Sequence, residues 1–226
     1  KLGASRRALE DALLGLTSVR TNQKLLLSAS GERRMLSPFG DVLAYEVSLT
    51  RGNLLLHDAL TKAEDEATAR TAGAYAKVNL AGSALRRFGS RWAMNLSARA
   101  QWASKNLHPS EKMALGGPGG IRAHADAGAG DDAWLVRLEL SHEFRSISPL
   151  PGRMQLLGFV DGGGARLYKH PWQDGALNYV SGVGAGLGLT YAPSRQISIR
   201  IEYGYPLKEI VGATPGALWF SARWAF

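Results

Sequence analysis

The 226-residue chain contains no cysteine, so disulfides and thiolate metal sites are excluded. Its histidines, at positions 57, 108, 124, 142 and 170, show no HxxxH or HExxH spacing, and no DxDxDG calcium frame occurs. No apolar run reaches the ~18 residues of a transmembrane helix, although strands that cross a membrane would leave no such run. The sequence therefore predicts neither a bound metal nor a cofactor.

Charge clusters and catalytic motifs are also sparse. The formal net charge is +8, which favours contact with something anionic, but the basic residues are scattered and never form a run of five. Nucleic-acid binding is therefore not predicted. The GxGxGxG series at 182–188 lacks the GxGxxG spacing of a nucleotide cradle, and no serine lies in a nucleophile elbow. We expect a protein that is not an enzyme.

Alternation of apolar and polar residues, the pattern of a β-strand, is abundant. From Trp92 to Trp102 every even position is apolar, whereas the odd positions include Asn95, Ser97 and Arg99. The pattern recurs at 134–144, 197–205 and 217–226, and more weakly at 20–31, 41–50, 70–82, 153–167 and 179–191. About ten strands are predicted, many of the length that a tilted strand needs to cross a bilayer. Only Arg6 to Leu16 is also compatible with an amphipathic helix on propensity.

Such alternation suits either a soluble β-sandwich or a transmembrane β-barrel. Large aromatic residues, such as Trp92, Trp102 and Trp134, lie near strand ends on the apolar parity, where a membrane-interface girdle would need them. The chain also ends on the aromatic residues Trp224 and Phe226, which we interpret as a C-terminal strand signal. The polar residues at the other alternate positions suit a water-filled lumen or the exposed face of a sandwich. The aromatic positions favour the barrel.

A long motif then favours one of these two folds. Residues 104 to 140 read SKNLHPSEKMALGGPGGIRAHADAGAGDDAWLVRLEL, and about 40 residues after Arg122 the chain reads Phe159-Val-Asp161-Gly-Gly163. Both stretches resemble the two-partner secretion transporters, the haemolysin activation and secretion protein family of bacterial outer membranes. The resemblance departs from the family pattern at Ile121, where valine is usual, at His124, where tyrosine or phenylalanine is common, and at Ala125, where proline is common.

The resemblance implies a fold and a function. Members of this family are antiparallel sixteen-stranded barrels that follow periplasmic POTRA domains and export a large partner exoprotein. Residues 1–226 would be the C-terminal part of such a barrel, without the POTRA domains and first strands. Partners would be the secreted exoprotein, the outer-membrane lipid and the POTRA domains of the full-length chain. A barrel-assembly insertase of the same superfamily is the alternative, and a passive porin or a soluble anion-binding sandwich are further ones.

The resemblance also implies a site. A long loop would fold back into the lumen, with its motif at Gly116, Gly117, Pro118, Gly120, Ile121, Arg122, Ala123 and His124 and the wall motif at Phe159, Asp161 and Gly163. A guanidinium in that confined space needs a carboxylate, and Asp161 shares the inward parity of Phe159. As in the family, we predict an Arg122–Asp161 ion pair, bidentate if the geometry allows, that locks the loop tip against the wall.

Overall fold

The computed structural model describes residues 2–13, 16–34, 41–145 and 152–225. It contains a ten-stranded antiparallel sheet in which each strand pairs with its neighbours along the chain, in the order β1-β2-β3-β4-β5-β8-β9-β10-β11-β12. The strands are β1 (Leu2–Leu13), β2 (Leu16–Arg34), β3 (Val42–Leu56), β4 (Gly73–Phe88), β5 (Trp92–Ala103), β8 (Asp132–Arg145), β9 (Arg153–Arg166), β10 (Tyr179–Ala192), β11 (Ile197–Lys208) and β12 (Ala217–Trp224). The predicted all-β antiparallel class is confirmed.

Cross-strand register separates the two faces of the sheet. Leu96 lies opposite Leu138 and Ala100 opposite Trp134. The apolar residues of neighbouring strands therefore lie on the same face of the sheet. Large apolar side chains on this outer face are exposed, for example Leu138 at 41%. Apart from the two-residue pair of β6 (Met113–Ala114) and β7 (Ala129–Gly130), the described residues form no second sheet that could cover them. This outer face matches the lipid-facing wall of a barrel and not the interior of a sandwich.

Aromatic residues border the outer face at both ends of the strands. Trp92 and Trp102 lie ten residues apart on β5, and Trp134 and Phe144 lie ten residues apart on β8. Ten residues extend roughly 33 Å along a strand, or roughly 25 Å along the membrane normal once the strand tilts by ~40°. That is the height of the apolar band of an outer-membrane barrel. No helix in the described ranges is long and apolar enough to cross a membrane.

Two local features differ from the sequence predictions. The start of the chain forms β1, followed by β2 from Leu16, so the helical alternative for Arg6 to Leu16 is wrong. Pairing with β2 overrides the helical propensity of this segment. The only α-helix described, α1 (Ala59–Ala67), was not predicted; it begins where the side chain of Asp58 accepts a hydrogen bond of 2.8 Å from the amide of Thr61.

The connections differ at the two edges of the sheet. One edge carries short turns, at 89–91 and 193–196, and the other carries long connections at 57–72, 104–131, 167–178 and 209–216. In outer-membrane barrels the short turns face the periplasm and the long loops face outward. No ladder joins β1 to β12 within the described ranges. The longest connection, residues 104–131, lies against the inner face and forms the candidate site.

Candidate functional site

Residues 104–131, here called the inner loop, form a hairpin with a compact tip. Its two arms pair through β6 and β7, where Met113 lies opposite Gly130. At the tip, the amide of Gly117 donates to the carbonyl of His124 at 2.9 Å, and the amide of Gly120 donates to the carbonyl of Gly117 at the same distance. These bonds keep the turn compact and satisfy part of its backbone, and other backbone groups of the tip bond to the surrounding strands and connections.

Apolar side chains seat the inner loop on the wall. Leu115, Ile121 and Ala123 from the loop are completely buried. They belong to one cluster with Ala133, Leu135, Ala165, Val180 and Ile210, which the wall strands and the 209–216 connection supply. Gly163 of the predicted wall motif lies under this cluster, since a Cβ there would lie 3.4 Å from Leu115 Cδ2. The loop therefore removes a patch of the inner wall from water, which stabilises the docked position.

Arg122 is the charged centre of the tip. It is 0% exposed, as is Asp161 of β9. Its Nε and one terminal nitrogen donate to the two Asp161 oxygens, each at 2.8 Å, and its backbone amide adds a bond of 3.1 Å to Oδ2. The pair is thus bidentate, with a third bond from the backbone. A guanidinium buried so completely requires this compensation.

Two further carboxylates contact Arg122, and the sequence prediction did not include them. The other terminal nitrogen of Arg122 donates to Glu139 of β8 at 2.5 Å and to Glu202 of β11 at 2.6 Å. Arg200 donates to the same Glu202 oxygen at 2.8 Å. One loop residue therefore binds strands β8, β9 and β11 together. Their alternation could have indicated both residues, since Glu139 and Glu202 lie at inward-facing positions in the middle of their strands.

The ion-pair cluster is balanced in charge. Its members are three arginines, Arg122, Arg137 and Arg200, and three carboxylates, Glu139, Asp161 and Glu202. Formally the six charges cancel while the loop is docked. Withdrawing Arg122 would leave three carboxylates facing two arginines in a partly dehydrated wall, which is costly.

An aromatic residue and a backbone contact complete the tip pocket. The guanidinium of Arg122 lies 3.5 Å from the centre of the Phe159 ring, a cation–π contact with a wall residue that is itself 4% exposed. From β12, the indole nitrogen of Trp219 donates to the carbonyl of Arg122 at 2.8 Å. β12 thus joins β8, β9 and β11 in holding this single position.

Glycines on the inner face let the tip approach the wall. A Cβ at Gly184 of β10 would lie 2.3 Å from the Cβ of Ala123, and one at Gly204 of β11 would lie 2.6 Å from the carbonyl oxygen of Arg122. Real Cβ atoms do not come so close. These two positions therefore hold glycine because the docked tip occupies the space of a side chain.

The remaining tip residues lie where the loop turns. Gly116, Gly117, Gly120 and Ile121 are buried or half-buried, and Pro118 is exposed at the far end of the turn. His124 is completely buried, with Nε2 3.2 Å from the carbonyl oxygen of Lys208. A Cβ at Gly182 of β10 would lie 2.6 Å from Ile210 Cγ1 and 3.3 Å from this Nε2, so glycine at 182 leaves room for both side chains.

The base of the inner loop is anchored by a second cluster of opposite polarity. Glu111, 4% exposed, ends a short 3-10 turn (Pro109–Glu111) that points at the wall. It accepts hydrogen bonds from Lys24 and, at 3.1 Å, from Asn22, both on β2, and its other oxygen lies 3.1 Å from Lys77 of β4. Burial alone would raise the pKa of Glu111, but the hydrogen bond from Lys24 and the charge of Lys77 hold it below its ordinary value.

Backbone contacts fix the base more firmly still. The buried Asp131 accepts from the amides of Leu107 at 2.9 Å and Lys169 at 2.8 Å, and forms an ion pair with Lys112 at 3.2 Å. Asn106 exchanges two hydrogen bonds with the backbone of His170, at 2.7 and 2.8 Å. Asn106 before the tip and Asp131 after it therefore tie the inner loop to the 167–178 connection.

The C-terminal strand signal is only partly described. Trp224 ends β12 on the outer face and is 75% exposed. Phe226 lies outside the described residues.

Comparison with known proteins identifies relatives of this chain. A family model described as haemolysin secretion/activation protein ShlB/FhaC/HecB matches residues 3–190. The heme/hemopexin transporter protein HuxB of Haemophilus influenzae is 34% identical over 117 residues, which are 49% of this chain and 20% of HuxB. HuxB of strain 86-028NP is 29% identical over 136 residues, 58% of this chain and 23% of that protein.

A solved structure supports the fold. CdiB from Escherichia coli superposes with a TM-score of 0.57 at 18% identity, covering 98% of this chain and 48% of that chain. At this identity the likeness concerns the fold alone. The chain spans about a fifth of the length of the curated relatives it matches.

Proposed function

Because this chain belongs to the haemolysin secretion/activation protein family ShlB/FhaC/HecB of the bacterial outer membrane, we propose that it forms part of the wall of a pore that exports a partner exoprotein. The role is transport and not catalysis. The full-length protein would carry POTRA domains on the periplasmic side, and residues 1–226 would be its C-terminal barrel portion.

Within that pore the inner loop acts as a plug whose tip is locked by Arg122. The observation that carries this proposal is the contact of one loop cation with carboxylates on three wall strands, of which Asp161 is held bidentately. A solvated loop arginine would not need three buried or half-buried acids. A tip whose charged contacts all pass through one side chain loses them together when that side chain leaves its partners, whereas continuous backbone pairing would release only strand by strand.

The amount of exoprotein that is exported tests the proposal directly. The full-length protein is expressed with the exoprotein encoded beside it, and the exoprotein in the medium is compared for wild type, Arg122→Ala and Arg195→Ala. Arg195 is a matched control because it is an exposed arginine in the 193–196 turn. Inserted barrel is quantified in the same samples from its heat-dependent migration on gels.

We expect export to collapse in Arg122→Ala while the barrel level holds and Arg195→Ala exports normally. Unchanged export in Arg122→Ala would refute the lock. If the barrel level falls, Asp161→Asn and the double variant decide, since a lock predicts that the double variant loses no more export than either single one. Normal export with poor assembly of other outer-membrane barrels would favour the insertase alternative.

A further inference from the structure

The outward face of β9 contains three glycines, at 158, 162 and 164. They point outward because they share the parity of Leu156 and Val160, which are 50% and 46% exposed. The large aliphatic side chains that cover the neighbouring strands are therefore missing along much of this strand.

Two of these glycines have no structural requirement for glycine. A Cβ at Gly158 would meet only Leu187 Cδ2, at 3.8 Å, and one at Gly162 would meet nothing closer than 3.9 Å. Neither has a positive φ. Glycine weakens a strand interior, so its presence here calls for another reason. The contrast is with Gly184 and Gly204, where the docked loop forbids a side chain.

Because Gly158 has no side chain, an apolar hollow of about 310 Å³ lies over it. Its sides are Leu140 of β8 and Leu187 of β10, the two cross-strand partners of Gly158. Leu156 and Val160 bound it along β9. A hollow ringed by branched aliphatic side chains on a lipid-facing wall has the chemistry to hold a hydrocarbon chain.

The two ends of this hollow differ. Toward the long connections, the indole of Trp134 donates to the Tyr179 hydroxyl at 3.3 Å, and Gly164 leaves room for that contact. Toward the short turns, the hollow reaches Trp92 and His142, whose rings lie 4.4 Å apart. The Nδ1 atom of His142 is buried and has no hydrogen-bond partner in the described part of the chain. The hollow at Gly158, here called the groove, is thus bounded by Val160 toward the long connections and has a polar mouth toward the short turns.

Basic residues surround the level of that mouth. Arg86 and Arg91 are exposed where β4 and β5 reach the short-turn edge, and Arg86 shares the outward parity of Phe88, whose ring centre lies 5.3 Å from its guanidinium. Glu143 of β8 and Arg153 of β9, 4.0 Å apart, share the inward parity of Asp161 and so lie on the other face of the sheet, and the described Asp41 accepts from the backbone amide of Arg87. Positive charge thus exceeds negative charge at the height where lipid phosphates lie.

We propose that this groove is a binding site for a phospholipid of the periplasmic leaflet, with one acyl chain over Gly158 and its phosphate at the arginines beside the Trp92–His142 mouth. The short-turn edge faces the periplasm in outer-membrane barrels, which selects that leaflet. The site rests on the membrane location of the family and is independent of the Arg122 lock.

Photolabelling tests the site. The full-length protein is reconstituted in phosphatidylethanolamine and phosphatidylglycerol vesicles that contain a trace of phosphatidylglycerol with a diazirine on one acyl chain. Adducts are then mapped by mass spectrometry. The variant Gly158→Leu fills the hollow, and Gly82→Leu is its matched control because Gly82 also faces outward, on β4, with its nearest atom 3.8 Å from an added Cβ.

We expect adducts to concentrate on β8 and β10 beside Gly158 and to fall about tenfold in Gly158→Leu, the loss that corresponds to withdrawing about two methylene groups from an apolar surface. Gly82→Leu should label as wild type does. Even labelling of all ten strands in wild type would indicate ordinary boundary lipid and overturn the proposal, whether or not Gly158→Leu folds. Unchanged labelling in a folded Gly158→Leu would overturn it as well.

The head group is tested with a diacylglycerol probe that carries the same diazirine chain without phosphate. We expect it to label β8 and β10 several-fold less than the phospholipid probe, as a charge-assisted contact predicts. Arg91→Gln should reduce that difference, since Arg91 is exposed at the mouth. Equal labelling by the two probes would refute the phosphate contact and with it a phospholipid-specific site.

Discussion

The tip and the base of the inner loop are held by opposite means. At the tip one loop cation, Arg122, enters a group of wall carboxylates. At the base a loop anion, Glu111, meets wall lysines, and Asp131 and Asn106 add bonds to backbone amides and carbonyls. At the base the polar bonds come from several loop residues, whereas at the tip the charged contacts all pass through the side chain of Arg122. Release of the tip with the base still attached is therefore the motion that this arrangement favours.

Removing the Arg122 side chain should destabilise the docked tip more than any other change considered for the loop. Arg122→Ala leaves Asp161 and its neighbouring carboxylates partly uncompensated, at a cost of about 3–5 kcal/mol to the docked tip. Because residues 1–226 contain no cysteine, Ala123→Cys supplies the single thiol that a reagent can label within them. Maleimide should label Ala123→Cys slowly alone, since Ala123 is 0% exposed, and rapidly with Arg122→Ala.

The base supplies the control for that experiment. Hydrogen exchange of residues 104–112 should stay close to wild type in Arg122→Ala, because Glu111 and Asn106 keep their partners. Equal loss of protection at tip and base would mean that the loop undocks as one unit, which contradicts independent anchoring.

Filling the space under the tip should have a smaller effect. Gly204→Ala places a methyl group 2.6 Å from the Arg122 carbonyl oxygen, and relieving the clash by shifting the tip should cost about 1–3 kcal/mol. Labelling of Ala123→Cys is again the readout. Gly82→Ala is the control, since a Cβ there lies 3.8 Å from its nearest neighbour. Equal labelling in the two variants would show that the wall glycines do not determine the approach of the tip.

The sequence predicted the strands and one ion pair more fully than it predicted the surroundings of that pair. Alternation identifies faces within each strand, so Asp161 could be assigned to the inward side before its partner was known. Glu139 and Glu202 share that side, but their convergence on Arg122 depends on sheet register and barrel curvature, which alternation does not contain. Glu111 was harder to assign, because its lysine partners are 87 and 34 residues away along the chain.

Acid should loosen the base with the smallest effect of the series. The folded-state pKa of Glu111 lies below its ordinary value of 4.5, so its stabilising contribution is complete above that value and is lost as the pH falls through the lowered pKa. Hydrogen exchange of residues 104–112, corrected for intrinsic rates, should therefore increase as the pH is taken below 4.5. Glu111→Gln should weaken protection already at neutral pH, by about 1–2 kcal/mol, because Lys24 and Lys77 lose their counter-charge. It should also remove most of the acid dependence. An acid response that persists undiminished in Glu111→Gln would mean that a group other than Glu111 controls the base.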